Sequence, residues 1–222
     1  MGNADTPGDV VDPSAAIRQL AASRNDPAAL EQALAEHRGR LRRMVALRLD
    51  RRLQGRVDPS DVIQEAYLEA ARRLPEYLRE PKPMPVFLWL RFLAAQSLQV
   101  VHRKHLGVMA RDAGREISIH ADRMPQATSA ALAAQLLGHD TRASEAAIRA
   151  ERRLRLEQAL NQMDPLDREV LALRHFEQLS NSECARVLDL KETTATKRYI
   201  RALRKLKEIL SALPDGNSEA WL

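Results

Sequence analysis

Glycine is scarce in this chain, 8 of 222 residues, and aromatic residues make up only 4%. With few glycines and only short β-branched runs, little is left to build strands and tight hairpins, so the chain reads as nearly all helix. Cysteine occurs once, which excludes an intramolecular disulfide, and Cys184 falls on an apolar stripe as a small core residue. No cleavable apolar leader and no long apolar run is present, so membrane insertion is not expected and a cytoplasmic location is. No nucleophile and base pairing or phosphate-cradling loop stands out. His102 and His105 have a spacing that could share a metal, yet no second ligand pair accompanies them. The expectation is a protein that is not an enzyme and carries neither metal nor cofactor.

What the chain does contain is charge on a helical frame. Hydrophobic residues reach 45%, ample for one or two cores, while 29% of residues are charged and the formal net charge is +5. Nucleic acid is the commonest partner of that sign. Composition divides the chain into a flexible leader (1–26), a helical block (27–110), a linker poor in periodicity (111–145), a second helical block (146–212) and a frayed tail (213–222). Within the linker, Ala130 to Leu137 could form a short helix.

The second block ends in a helix-turn-helix pattern. Ser180 can cap its first helix, with Glu183 at capping-box spacing, and Cys184, Val187 and Leu188 share one face. Asp189 to Glu192 makes a short turn, after which Thr193 or Thr194 can cap the next helix. In that helix Tyr199, Ala202, Leu203, Leu206 and Leu210 form the inward stripe, leaving Thr196, Lys197, Arg198, Arg201 and Lys205 outward. A major groove admits such a helix, its first turns near base edges and its cations near phosphates. A solvated basic face on an ordinary helical hairpin is the other reading.

In the first block, Asp58 as cap, Pro59 in the first turn and Asp61 at the amino end write a helix start. Val62, Ile63, Ala66, Tyr67, Ala70, Ala71 and Leu74 form its apolar stripe, and Pro75 is expected to stop it. Opposite lie Asp61, Gln64, Glu65, Glu69 and Arg72, a mainly acidic face in a basic protein. Spacing alone makes this a wet helix face before it makes it a docking strip for a basic partner. A loop follows with prolines at 81, 83 and 85, and then a helix holding Phe87, Trp89 and Phe92 that runs into His102, Arg103, Lys104 and His105. Aromatics beside cations suit single-stranded nucleic acid, though aromatics at helical spacing are more often core, as expected for Trp89.

The order DPSDVIQEAYLEAARRL, an F-x-W-L helix ending in cations, a linker, then LEQALNQMDPLDREVLALRHFEQLSNSECARVL and a basic helix resembles bacterial RNA polymerase sigma factors of the extracytoplasmic-function class. The resemblance spans about residues 28–110 and 150–210, and FLWLRFLAAQ, HRKHLG and RDAGREISI look like the version abundant in planctomycetes. It implies an all-α chain of two helical domains joined by a flexible linker: a region 2 helical bundle that docks on core RNA polymerase and a region 4 helix-turn-helix. Asp61, Gln64, Glu65 and Glu69 would then meet the polymerase. The loop at 79–87 with Phe87, and the helix face through Gln96, Gln99, Val100, Arg103 and Lys104, would open the minus-ten element and hold an extruded base. Thr193, Thr194, Thr196, Lys197, Arg198, Arg201 and Lys205 would read the minus-thirty-five element. Partners implied are core polymerase, promoter DNA and an antagonist protein. Gln96, Val100 and Thr193-Thr194-Ala195 depart from the residues usual at those places, so the family's promoter preference is not carried across. A free-standing helix-turn-helix regulator is the alternative, and it has no need of an acidic docking strip. A helical adaptor without DNA binding would leave the cations of 197–207 without a role.

Overall fold

The computed structural model of the protein describes residues 27–80, 84–106, 126–137 and 146–212, and the expected leader, tail and most of the linker lie outside them. Eight α-helices carry the described chain, with no strand among these residues: α1 Pro27–Arg48, α2 Pro59–Arg79, α3 Val86–Leu106, α4 Ser129–Leu137, α5 Ala146–Asn161, α6 Pro165–Leu171, α7 Asn181–Leu188 and α8 Glu192–Ser211. A 3₁₀ turn at Arg51–Leu53 links α1 to α2, and a π turn at Ala172–Phe176 extends α6.

Local chemistry sets most of the helix ends. The Asp58 carboxylate accepts from Ser60 N at 2.7 Å with Pro59 behind it, as the sequence predicts for the start of α2. Ser180 and Glu183 close a capping box at the start of α7, satisfying each other's backbone amides. Two predicted ends are corrected. α2 runs through Pro75 to Arg79, because the turn beyond it is held from outside: Tyr77 is buried, stacks on Trp89 at 4.2 Å between ring centroids, and donates its hydroxyl to Met84 O at 2.6 Å. That packing outweighs the one backbone bond a proline forfeits. α8 begins at Glu192, ahead of the expected threonine caps, and its cap position is Lys191, whose side chain makes no cap bond. On the carbonyl side of the same turn, Asn181 Nδ2 donates to Glu192 O at 3.1 Å, tying α7 to the start of α8, and the Thr196 hydroxyl donates to the same oxygen at 3.0 Å.

The two helical blocks share their interior. One core cluster joins α1, α2 and α3 to Val170, Leu173, Leu179 and Cys184 of the second block. The other joins Leu47 of α1 to α4, α5, α6 and α8. α6 and its π turn therefore lie between the clusters, with Val170 and Leu173 in the first and Leu171 and Ala172 in the second. The short helix expected within the linker forms, and it is buried from Ser129 to Ala133 and again at Leu136, with Thr128 N donating to Leu47 O at 3.1 Å.

Charge joins the blocks as well. Arg48, wholly buried, reaches Glu169 and lies 2.5 Å from Glu177, while Arg91 Nε donates to Glu177 at 2.7 Å. Ala127 N supplies a further donor to Glu169 at 2.9 Å. Burial works against each of these charges, yet the opposing partners over-compensate, holding the Glu177 carboxyl below the ordinary carboxylate range and the Arg48 guanidinium above its ordinary value. Arg40 and Arg43 of α1 donate to Phe176 O, Glu177 O and Gln178 O at 2.9–3.0 Å, neutralising carbonyls at the end of the π turn.

Candidate nucleic-acid interface

Three surfaces carry the residues singled out in the sequence. On α2, Asp61, Gln64 and Glu65 are exposed together on the face opposite the buried Val62, Ile63, Ala66 and Ala70, so the acidic strip is a true surface feature. Leu68, 48% exposed, adds an apolar spot to the same helix. Glu69 is more occupied, lying 2.5 Å from Arg73 and 3.4 Å from Arg72 along its own helix.

On α3, Val100 (51% exposed), Arg103 and Lys104 face outward, with Gln96 and Gln99 half-buried beside them. Phe92, 48% exposed, continues this face toward the amino end. Phe87 does not belong to it and is corrected. Its ring is buried, with the Arg40 guanidinium 3.5 Å from its centroid and His37 edge-on at 5.2 Å. An aromatic in the first turn of a helix buries a large apolar area inward more readily than it waits for a base outside. His102 accepts from Asp50 N at 3.2 Å, tying α3 to the end of α1. Among the described residues no cluster of three metal-ligating side chains occurs.

On α8, Ala195, Ala202, Leu206, Ile209 and Leu210 are buried, and Thr193, Thr196, Lys197, Arg204 and Lys205 are exposed on the other side, with Thr194 half-buried. Lys205 lies 3.1 Å from Glu208. Arg201 is exposed, as expected, and Arg198 is half-buried, and both are gathered by a buried carboxylate. Asp167 of α6 accepts from Arg201 Nε at 2.6 Å, Arg201 Nη2 at 2.8 Å and Arg198 Nη1 at 2.8 Å. Burial alone would raise the Asp167 pKa, but these charge-assisted bonds outweigh it and hold the carboxyl below its usual range. Arg198 Nη1 also lies 3.6 Å from Asp164, the residue that caps α6. Sequence reasoning missed Asp167. Its only signal is an acid in a first helical turn, and the thirty-odd residues that separate it from its partners conceal the pairing.

Residues 153–206, which take in just over half of α5, all of α6 and α7 and three quarters of α8, match the family described as sigma-70, region 4. The fold is similar to that of CnrH, solved in complex with the cytosolic domain of CnrY, with a TM-score of 0.51, 21% sequence identity, and coverage of 89% of this chain and 98% of that one. No curated protein gives a significant match. The family match thus falls on the helix-turn-helix and its basic helix, and the likeness to CnrH extends over both helical blocks.

Proposed function

We propose that the protein is an alternative sigma factor of the extracytoplasmic-function type, which binds core RNA polymerase and directs it to a subset of promoters for transcription initiation. The observation that carries the reading is the coexistence, on one fold, of a region 4 match at the basic helix α8 and a separate exposed acidic strip on α2 at Asp61, Gln64 and Glu65. A free-standing duplex-binding regulator explains the first and not the second. In this reading the α2 strip docks on a basic surface of the polymerase. α3 from Gln96 to Lys104 opens the minus-ten element and holds an extruded base, and α8 reads the minus-thirty-five element in duplex form. Polymerisation belongs to the partner, and the protein acts in the cytoplasm with no catalysis of its own. None of the described helices is long and apolar enough to cross a membrane. CnrH is solved in complex with the cytosolic domain of CnrY, and a partner protein that binds and antagonises the free chain is proposed here too. The stretches FLWLRFLAAQ and HRKHLG further suggest the planctomycete-type subclass.

The test is reconstitution. Purified protein should co-purify with core polymerase, and the holoenzyme should open promoter DNA, read by permanganate reactivity of unpaired thymines. Substitutions at Gln96, Val100 and Arg103 should leave polymerase binding intact while reducing transcription from a closed duplex. A template already mismatched across the minus-ten region should recover much of that loss, because the unpairing cost of a few kcal/mol has been met beforehand. Duplex binding without any strand opening would favour the regulator.

A further inference from the structure

We infer that Asp167 is a positioning residue for promoter reading: it withholds Arg198 and Arg201 from indiscriminate phosphate binding and holds their guanidiniums for directed contact with base edges. The inference rests on the reading of α8 as the duplex-recognition helix.

The geometry is specific. Asp167 is almost wholly buried, 4% exposed, on the first turn of α6, where its own backbone amide donates to the Asp164 cap at 3.3 Å. Its carboxylate is therefore anchored to the core and does not travel with its partners. Arg201 meets it side-on through Nε and Nη2, and Arg198, one turn earlier on α8, through Nη1. Neither cation is buried by this pairing, since the Arg201 side chain stays 60% exposed and that of Arg198 25%. One anion thus ties down two guanidiniums that remain at the surface.

Two consequences follow for DNA. A mobile cation gains affinity for any duplex by releasing condensed counterions, a contribution blind to sequence. A carboxylate beside Arg198 and Arg201 offsets part of their charge and weakens that contribution, leaving the exposed Lys197 and Arg204 for the phosphates. A guanidinium is also a planar fork, and once one edge is fixed the other presents its donors in a set direction, with rotamer freedom already lost before DNA arrives. Bidentate recognition of a guanine edge needs that kind of alignment.

This role differs in sign from a mere tie between α6 and α8. Loss of a structural tie lowers binding to every sequence, whereas loss of a positioning carboxylate raises binding to the wrong sequences and erodes the preference for the right one. The experiment uses the full-length protein reconstituted with core polymerase. Wild-type holoenzyme first selects from duplexes randomised over the upstream element, and the selected and scrambled duplexes then serve as probes across a salt series. For Asp167→Asn, binding to the scrambled duplex is expected to rise several-fold, with its log–log salt slope steeper by about one to two as the freed cations reach phosphates. The ratio of selected to scrambled affinity is expected to fall by about tenfold or more. Asp167→Glu, which keeps the carboxylate, should restore part of that ratio. Arg201→Lys, on an exposed side chain, keeps the charge without the fork and should lower the ratio while leaving the scrambled slope unchanged, so the inference stays testable if the Asp167 variants fold poorly. An unchanged ratio and slope in Asp167→Asn, or an equal loss on both probes in Asp167→Asn and Arg201→Lys, overturns the positioning role while leaving the sigma reading in place. A wild-type holoenzyme that selects no sequence at all removes the reading of α8 itself, and the inference with it.

Discussion

At the scale of single residues, the docking and DNA-reading roles proposed for the solvent-facing side chains of α2 and α8 can be tested separately. Gln64 and Glu65 project from a helix whose opposite face is in the core, so replacing them by Ala and Lys should leave the fold intact while removing a polar anchor and reversing a charge at the docking strip. Interface anchors of this kind commonly cost about 2 kcal/mol or more, on the order of thirtyfold in affinity. Co-purification with core polymerase at wild-type yield, with an unchanged melting temperature, would contradict the docking role. Lys197 is exposed and, unlike Arg198 and Arg201, is not held by Asp167. Lys197→Ala should therefore weaken binding to all promoter variants alike and reduce the salt slope by about one unit. A loss confined to one upstream sequence would show instead that Lys197 reads bases.

At the scale of elements, α2 and α8 show how tertiary contacts override local rules. Pro75 lies inside α2, where it removes the backbone donor to Ala71 O, and the helix survives because Leu74 and Tyr77 on either side are buried against α3. Interior proline is less favourable than alanine by up to about 3 kcal/mol, so Pro75→Ala should stabilise the protein, with a raised midpoint in urea and an unchanged slope. A lowered midpoint would mean that the native path of α2 depends on the ring of Pro75. In α8 the guanidiniums of Arg198 and Arg201 are set by an acid on another helix. The surface proposed to read DNA is thus a composite of α6 and α8.

At the scale of the whole molecule, the clearest feature is that the two blocks are closed on each other through Arg48, Arg91, Glu169 and Glu177. Elements centred near minus ten and minus thirty-five lie about 85 Å apart along B-DNA, at about 3.4 Å per base pair. A folded body made of the described residues spans roughly 40 Å. If the two blocks read these two elements at once, as proposed, this interface must open. Cys184 reports on opening, since its side chain is buried in the shared core and desolvation pushes its thiol up to about 11. A thiol reagent should modify the free protein slowly and the holoenzyme on promoter DNA at least about tenfold faster. Equal rates would place the blocks in the same closed arrangement in both states. Glu177→Gln leaves Arg48 and Arg91 short of a buried counter-charge, which commonly costs about 3–5 kcal/mol, and should speed Cys184 modification in the free protein. The same contact is acid-sensitive. Because the folded-state pKa of Glu177 lies below its ordinary value of 4.5, its stabilising contribution is present above that pH and fades as the pH falls through the folded value. Modification rates, each divided by the rate of the unfolded chain's thiol at the same pH to remove the change in thiolate fraction, should agree between neutral and mildly acidic conditions until the ordinary carboxylate range is passed.

Periodicity and end chemistry were legible without coordinates. The Asp58-Pro59 start, the Ser180–Glu183 box, the inward stripe of α8, the burial of Trp89 and Cys184, and the exposure of Asp61, Gln64 and Glu65 all follow from spacing within one helix, where neighbours in sequence are neighbours in space. The burial of Phe87, the continuation of α2 past Pro75, the capture of Arg198 and Arg201 by Asp167, and the ion cluster that closes the two blocks were decided by the tertiary structure alone. Each of these depends on groups brought together from tens of residues or more apart, or on packing that outweighs a local preference. An arginine on a helix face looks the same in sequence whether it meets water, DNA or a buried aspartate, and only the packing of α6 against α8 distinguishes them.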